Sequence, residues 1–166
     1  ITANAAMGDG TALFHANHKN LGAGAAIDVA SVGAGRQKMR MQVGLDGKTL
    51  LNITPAFLIG PTALQTVIEQ FLTSITPAQV SNVVPEGLRK LTPITEPRLD
   101  AASASNWYLA GDPNQIDTIE LAYLEGQEGL FTETRTGFDV DGVEVKVRQD
   151  VGAKAIDWRG FYKNPN

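Results

Sequence analysis

Apolar residues along this chain recur with two different periods. Leu64, Val67, Ile68, Phe71 and Leu72 fall at i, i+3, i+4, i+7 and i+8, the broad stripe of an amphipathic helix. Pro61 suits its first turn and Pro77 its end. A second helix is expected from Asp28 or Ser31 as N-cap to about Val43, stopped by Gly44, with Val32, Gly35, Met39 and Val43 inward. The run Ala56-Phe57-Leu58-Ile59 is short and uninterrupted, as in a strand buried on both faces. Residues 77–90 read as a loop. Strands are expected around Leu91–Leu99, at an edge because of Pro93 and Pro97, and at Trp107–Ala110.

The last third is strand-like. Ile119, Leu121 and Tyr123 alternate with Thr118, Glu120 and Ala122, which gives a half-exposed strand. Phe138 to Val147 predicts a hairpin turning at Asp141-Gly142. That register pairs Val140 with Val143 and Phe138 with Val145, and sets the valines on the core. Residues Ala155–Tyr162 close the chain as a further strand. Helix, strand, helix and then mostly strands argue for an α+β fold.

At 166 residues and 43 % hydrophobic, residues 1–166 fit one domain with a real core. The net charge is −4, which lacks the basic footprint of a nucleic-acid binder. Local bias is stronger. Arg36, Lys38 and Arg40 cluster early, in sequence near His15, His18 and Lys19. Between Leu99 and Thr134 stand seven acids and no Lys or Arg. The two segments are either complementary faces of neighbouring copies or two solvated surfaces. There is no cysteine, hence no thiolate site or disulfide framework. No apolar run approaches the ~20 residues of a membrane span, and no signal peptide is visible. The first residue is Ile, so the chain is expected to be a C-terminal piece of a larger protein.

Candidate chemistry is sparse. His15 and His18 are the only histidines; a catalytic zinc there needs a third ligand, from Asp9 or Asp28. The alternative is a polar loop whose imidazoles satisfy backbone groups. Asp139-Val140-Asp141-Gly142 lacks the spacing of a calcium loop. No Gly-x-Ser-x-Gly elbow or Gly-rich phosphate cradle is present. Trp107, Tyr108, Trp158 and Tyr162 fit core or interface anchors, while a binding module of the tail or adhesion kind would rest on Trp107, Tyr108 and the exposed polar loops. No catalytic, cofactor or metal residue is assigned.

Several runs together carry a resemblance. Gly8-Asp9-Gly10-Thr11-Ala12-Leu13-Phe14-His15-Ala16-Asn17-His18-Lys19-Asn20-Leu21 resembles a segment of Mu-like prophage major head subunits. It is most similar to the capsid part of fused prohead protease/major capsid proteins. Asn52-Ile53-Thr54-Pro55-Ala56-Phe57-Leu58, Glu96-Pro97-Arg98-Leu99, Asn106-Trp107-Tyr108-Leu109, Ile119–Gly126 and Ala155–Asn164 follow in order, as does Gly44–Lys48. The resemblance implies the Hong Kong 97-type capsid fold, mainly its axial domain plus strands that return to the peripheral domain. No segment here has the length of that fold's spine helix. It implies a structural protein of the virion, formed in the bacterial cytoplasm, that self-assembles into the shell packaging DNA. Expected partners are other copies in capsomers, with scaffold, prohead protease and portal in the parent system. It implies no enzyme activity, no cofactor, no specific nucleic-acid contact and no membrane.

Overall fold

The computed structural model describes residues 1–73, 83–137 and 141–166. Contacts divide the chain, taken above as one domain, into two compact units. One comprises Ile1–Thr118 with Ala155–Asn166, the other Ile119–Lys154.

The first unit is built on a four-stranded sheet. Its strands are β1 (Pro55–Gly60), β2 (Thr92–Thr95), β3 (Trp107–Gly111) and β8 (Phe161–Asn164), in spatial order β2-β1-β3-β8. β1 pairs parallel with β2, and the other two pairings are antiparallel. The register places Leu58 beside Leu109 and Leu109 beside Tyr162. One residue along, Phe57, Ala110 and Phe161 form the next row. Successive side chains in a strand point to opposite faces, so the sheet is apolar on both. Its edge strand β2 carries Pro93, which has no N–H to leave unpaired.

One face is covered by helices. α1 (Val29–Arg40) starts at a capping box: Ser31 N–H donates to the Asp28 carboxylate at 2.6 Å, and Asp28 N–H to Ser31 Oγ at 3.1 Å. Val32, Gly35 and Met39 face the sheet. The helix ends at Arg40 and not near Val43, which instead pairs with Leu50 in an isolated bridge. Pro61 precedes a 3-10 turn, Thr62–Leu64, which feeds α2 (Gln65–Leu72). Ile68 and Phe71 are buried there, Leu64 and Leu72 partly so, and Val67 lies exposed at the stripe's margin. α2 stops at Leu72; Pro77 lies outside the described residues. Within the expected loop, Glu86–Arg89 forms a short helix, α3, because Leu88 needs burial and Lys90 pairs with Glu86 at 2.8 Å. The expected strand Leu91–Leu99 is shorter than its pattern. Pro97 starts a helical turn, α4 (Pro97–Asp100), where its fixed φ suits a first turn.

The other face is covered by an irregular strap, residues 1–21. Met7, Leu13 and Phe14 pack there with Leu99, Tyr108, Ala110 and Phe161.

The second unit consists of two-stranded pairs. β4 (Ile119–Tyr123) lies beside β7 (Val151–Ala155), and β5 (Phe131–Thr136) beside β6 (Val143–Arg148). The hairpin register differs from the one expected. Val143 pairs with Thr136, Val145 with Thr134 and Val147 with Thr132. The expected partners Phe138 and Val140 lie outside the described residues. Gly142 is not at positive φ, so no primed turn is centred on it. Nor are the valines on a core: Val143, Val145 and Val147 are 69 %, 62 % and 57 % exposed. β4, expected to be half-exposed, is exposed along its length. The closing segment also splits: β7 ends at Ala155, and a turn separates it from β8.

Three substitutions test this packing in urea unfolding. Ile68→Ala removes a fully buried side chain and should cost about 2–5 kcal/mol. Gly35→Ala favours a helix by up to ~1 kcal/mol. Its Cβ, however, would stand 2.8 Å from the Tyr162 ring and 2.9 Å from Leu109. The clash should win, with a net loss of about 1–3 kcal/mol. Gly142→Val should change stability by no more than ~0.5 kcal/mol, since nothing lies within 4 Å of the new Cβ.

Candidate functional site

The histidines sit in the strap. A 3-10 turn, Ala16–His18, opens at His15, whose Nδ1 accepts from Asn17 N–H at 3.2 Å. His18 is buried, with Nδ1 3.2 Å from Leu13 O and Nε2 2.8 Å from the Asp9 carboxylate. Its ring stacks on Trp158, with centroids 4.1 Å apart and planes 10° from parallel. Arg159 lies over Trp158 as well, 4.4 Å from the ring centre, while its guanidinium meets Asp157 and its Nε–H donates to Val43 O at 2.8 Å. The strap, the chain after α1 and the turn before β8 thus converge on one aromatic stack.

Around that stack the strap's backbone is satisfied by side chains. Asn20 is 1 % exposed. It accepts from His15 N–H at 3.2 Å and donates to Leu13 O at 2.8 Å and Trp158 O at 3.4 Å. Gln42 donates to His18 O at 2.9 Å. Asn4 accepts from Phe14 N–H at 2.7 Å and donates back to its carbonyl. The groups proposed as metal ligands are therefore brought together only in part. Asp9 meets His18, whereas Asp28 caps α1. No group of three or more His, Cys, Asp or Glu converges among the described residues.

Among the described residues the shifted carboxylates are all held low. Hydrogen bonding from His18 and then Thr11 N–H depresses Asp9. Thr49 and the backbone of Lys48 and Thr49 hold Asp46 at about 2. The Thr62 hydroxyl lowers Asp100, which also accepts from Thr62 and Ala63 N–H and so ties α4 to the turn before α2. Lys90 lowers Glu86. A general acid near neutrality requires the reverse shift. Burial raises the Tyr108 and Tyr162 phenols, away from a charged form.

The second unit offers surfaces. Residues 119–154 contain eight acids and four bases, and so carry the chain's whole net charge of −4. One face of the β5–β6 hairpin presents Val143, Val145 and Val147 opposite Thr136, Thr134 and Thr132. The other is ionic, with Arg135 2.5 Å from Glu144 and Lys146 3.5 Å from Glu133. Among the described residues Glu120, Glu125 and Glu128 make no ion pair, and neither do Lys19, Lys38, Arg40 and Lys163 in the first unit. The three lysines lie in or beside β8: Lys163 belongs to it, Lys38 Nζ donates to Leu21 O at 2.7 Å, Leu21 bridges to Lys163, and Lys19 precedes Asn20, whose carbonyl accepts from Lys163 N–H at 2.9 Å. No helix is long and apolar enough to cross a membrane among the described residues.

Sequence reasoning misses Trp158 as the base of the histidine stack and Asn20 as the strap's main anchor. The Asp157-Trp158-Arg159-Gly160 run reads as part of a strand and is a turn. It also misses β5, although Thr132, Thr134 and Thr136 alternate with Glu133 and Arg135.

A protein-family model described as phage capsid protein matches residues 1–164, and the chain belongs to that family. No curated protein matches it. Membership gives the chain a structural, non-enzymatic role in the capsid, assembled with other capsid copies in the virion.

In such a role the strap's polar contacts serve stability. Asn20→Ala leaves buried backbone groups unmet and should cost about 1–3 kcal/mol in urea unfolding. The folded pKa of Asp9 lies below its ordinary 3.8. Its contribution is therefore complete above the ordinary value and lost as pH falls through the lowered one. Asp9→Asn should remove that part of the acid sensitivity, seen as a flatter dependence of the urea midpoint on pH. An unchanged acid limb would show that the carboxylate contributes nothing.

Proposed function

We propose that this chain is the assembly half of the major capsid protein of a tailed phage or prophage, of Mu-like head-subunit type. It forms mainly the axial domain of a Hong Kong 97-type subunit, with the strands of residues 119–155 returning toward the peripheral domain. The family match across residues 1–164 is the observation that carries this reading. The two-sided sheet gives it physical support. A shell subunit needs a stable core and several open rims, since closed shells arise from heterologous contacts whose geometry closes. The net charge of −4 suits a wall that encloses DNA without clamping it. Self-assembly takes place in the bacterial cytoplasm, where scaffold, prohead protease and portal are the further partners. Residues 1–166 form one capsid-type part of a larger parent, and no residue in it is catalytic, cofactor-binding or metal-binding.

Electron microscopy of the full-length parent, expressed with its scaffold region, should show closed shells. Its absence from particles, or a parent that remains monomeric beside its scaffold, would end the shell reading. Truncation before Gly137 removes β8, hence Phe161 and Tyr162 from both cores, and should abolish folding and shells together. Residues 1–166 alone should scatter light as a monomer or small oligomer, not as a closed particle.

A further inference from the structure

Two stretches of chain join the first unit to residues 119–154. The outgoing one ends at Thr118, and the returning one begins at Ala155. The first unit holds them unequally. The returning stretch is tied down repeatedly before it enters β8. Trp158 stacks on His18, and Trp158 O accepts from the Asn20 amide at 3.4 Å. Arg159 Nε–H donates to Val43 O at 2.8 Å, and Gly160 O accepts from Gly111 N–H of β3 at 2.7 Å. The outgoing stretch leaves a turn in which Ile116 N–H donates to Asp112 O at 3.1 Å, and Ile116 packs at the margin of the helix-side core. Beyond Ile116 it leans on the returning stretch. Thr118 O accepts from Ile156 N–H at 3.0 Å, and the Thr118 methyl lies against Gly160.

The crossing at Gly160 admits no side chain. A Cβ there would stand 2.2 Å from Thr118 Cγ2 and 2.9 Å from Ile116 Cγ2. Both are branch methyls on stiff β-branched side chains, so residues 116–118 or the turn itself would have to move. The backbone at Gly160 is not at positive φ, so its conformation does not require glycine; the close crossing does. We propose that Thr118 and Gly160 form a clamp, in which the returning stretch, anchored to the strap and to β3, holds the outgoing one, so that both ends of residues 119–154 enter the first unit as one joined pair. The clamp is a positioning device at the border of the first unit. Its consequence for assembly rests on the shell reading: a subunit that holds residues 119–154 firmly by one end only is a poor building block, because a shell closes only when every copy repeats one geometry.

Amide hydrogen exchange on subunits of the parent protein reads the clamp directly. Ile156 N–H should be protected in the wild type. Gly160→Ala should speed its exchange at least about tenfold, while the amides of Tyr108 and Leu109, inside the sheet, keep their protection. Adding Thr118→Ser moves the methyl from one side of the crossing to the other and should return Ile156 to slow exchange. Should Gly160→Ala not fold, Thr118→Gly opens the same contact without crowding anything, and it too should speed exchange at Ile156. Unchanged exchange at Ile156 in the variant that folds would overturn the clamp. So would equal acceleration at Tyr108 and Leu109, which would make Gly160 an ordinary core position, and so would failure of Thr118→Ser to rescue. In assembly of the parent, Gly160→Ala should give few or no closed shells, and the double variant should give them again. Normal shells from a variant whose Ile156 amide has lost protection would overturn the clamp's part in assembly. A wild-type parent that forms no shell refutes the shell reading, whereas the exchange measurement judges the clamp by itself.

Discussion

Strands β1, β3 and β8 place apolar side chains on both faces of one small sheet, so two separate layers must cover it. Leu58, Leu109 and Tyr162 form one row, and Phe57, Ala110 and Phe161 the next. Trp107, with no exposed surface, belongs to the first face, and Tyr108 to the second. Three helices satisfy the first demand by lending their apolar stripes. Of the second face the short α4 covers only a part, through Leu99, and the chain covers the rest with irregular backbone. The rest of the first unit follows from that choice.

Irregular backbone over an apolar surface leaves N–H and C=O groups without ladder partners, and a buried unmet group costs about 1–3 kcal/mol. Here side chains do what a helix or strand would have done internally. Asn20 alone reaches His15, Leu13 and Trp158. His18 meets Leu13 O and Asp9, and Gln42 reaches His18 O. This accounts for buried polar residues in a chain whose described residues gather no group of three or more His, Cys, Asp or Glu. It also accounts for the histidine pair, whose proximity in sequence suggests a metal and whose geometry is that of a cap and a stacked anchor. The groups facing the two His18 ring nitrogens are Leu13 O and the Asp9 carboxylate. Trp158 stacks on that ring, and the Arg159 guanidinium lies over the same indole.

What the sequence discloses and what it hides separate along the same line. Periodic segments are legible: the α2 stripe, the Asp28 cap, the buried run of β1 and the β3 strand all repeat a local pattern that fixes their structure. The family resemblance is legible in ordered short runs, and the family match covers the same chain. Long-range partners are not legible. Nothing local in His18 announces Trp158, which lies at the far end of the chain. The helix α3 escapes because four residues are too few to show a period, and α4 because Pro97 serves equally as a strand breaker and a helix starter.

The hairpin is mispaired in the sequence reading for a physical reason of the same kind. Asp141-Gly142 is a strong turn signal, and it overrides the alternation of Thr132, Thr134 and Thr136 with charged residues. Threonine is β-branched and favours strands, but it is not counted as apolar, so the face it shares with the valines looks incomplete. With the pairing corrected, the ribbon is amphipathic across both strands: valine and threonine on one side, alternating opposite charges on the other. The first unit, facing the same requirement to cover an apolar β surface, uses its own helices and its own strap. Among the described residues of 119–154 the ribbon has neither, only partner strands in the same layer. Cross-strand pairs of this type contribute roughly 0.2–1 kcal/mol each, less than the ordering of the residues that make them costs. The ribbon's order therefore depends on a layer contributed from outside it.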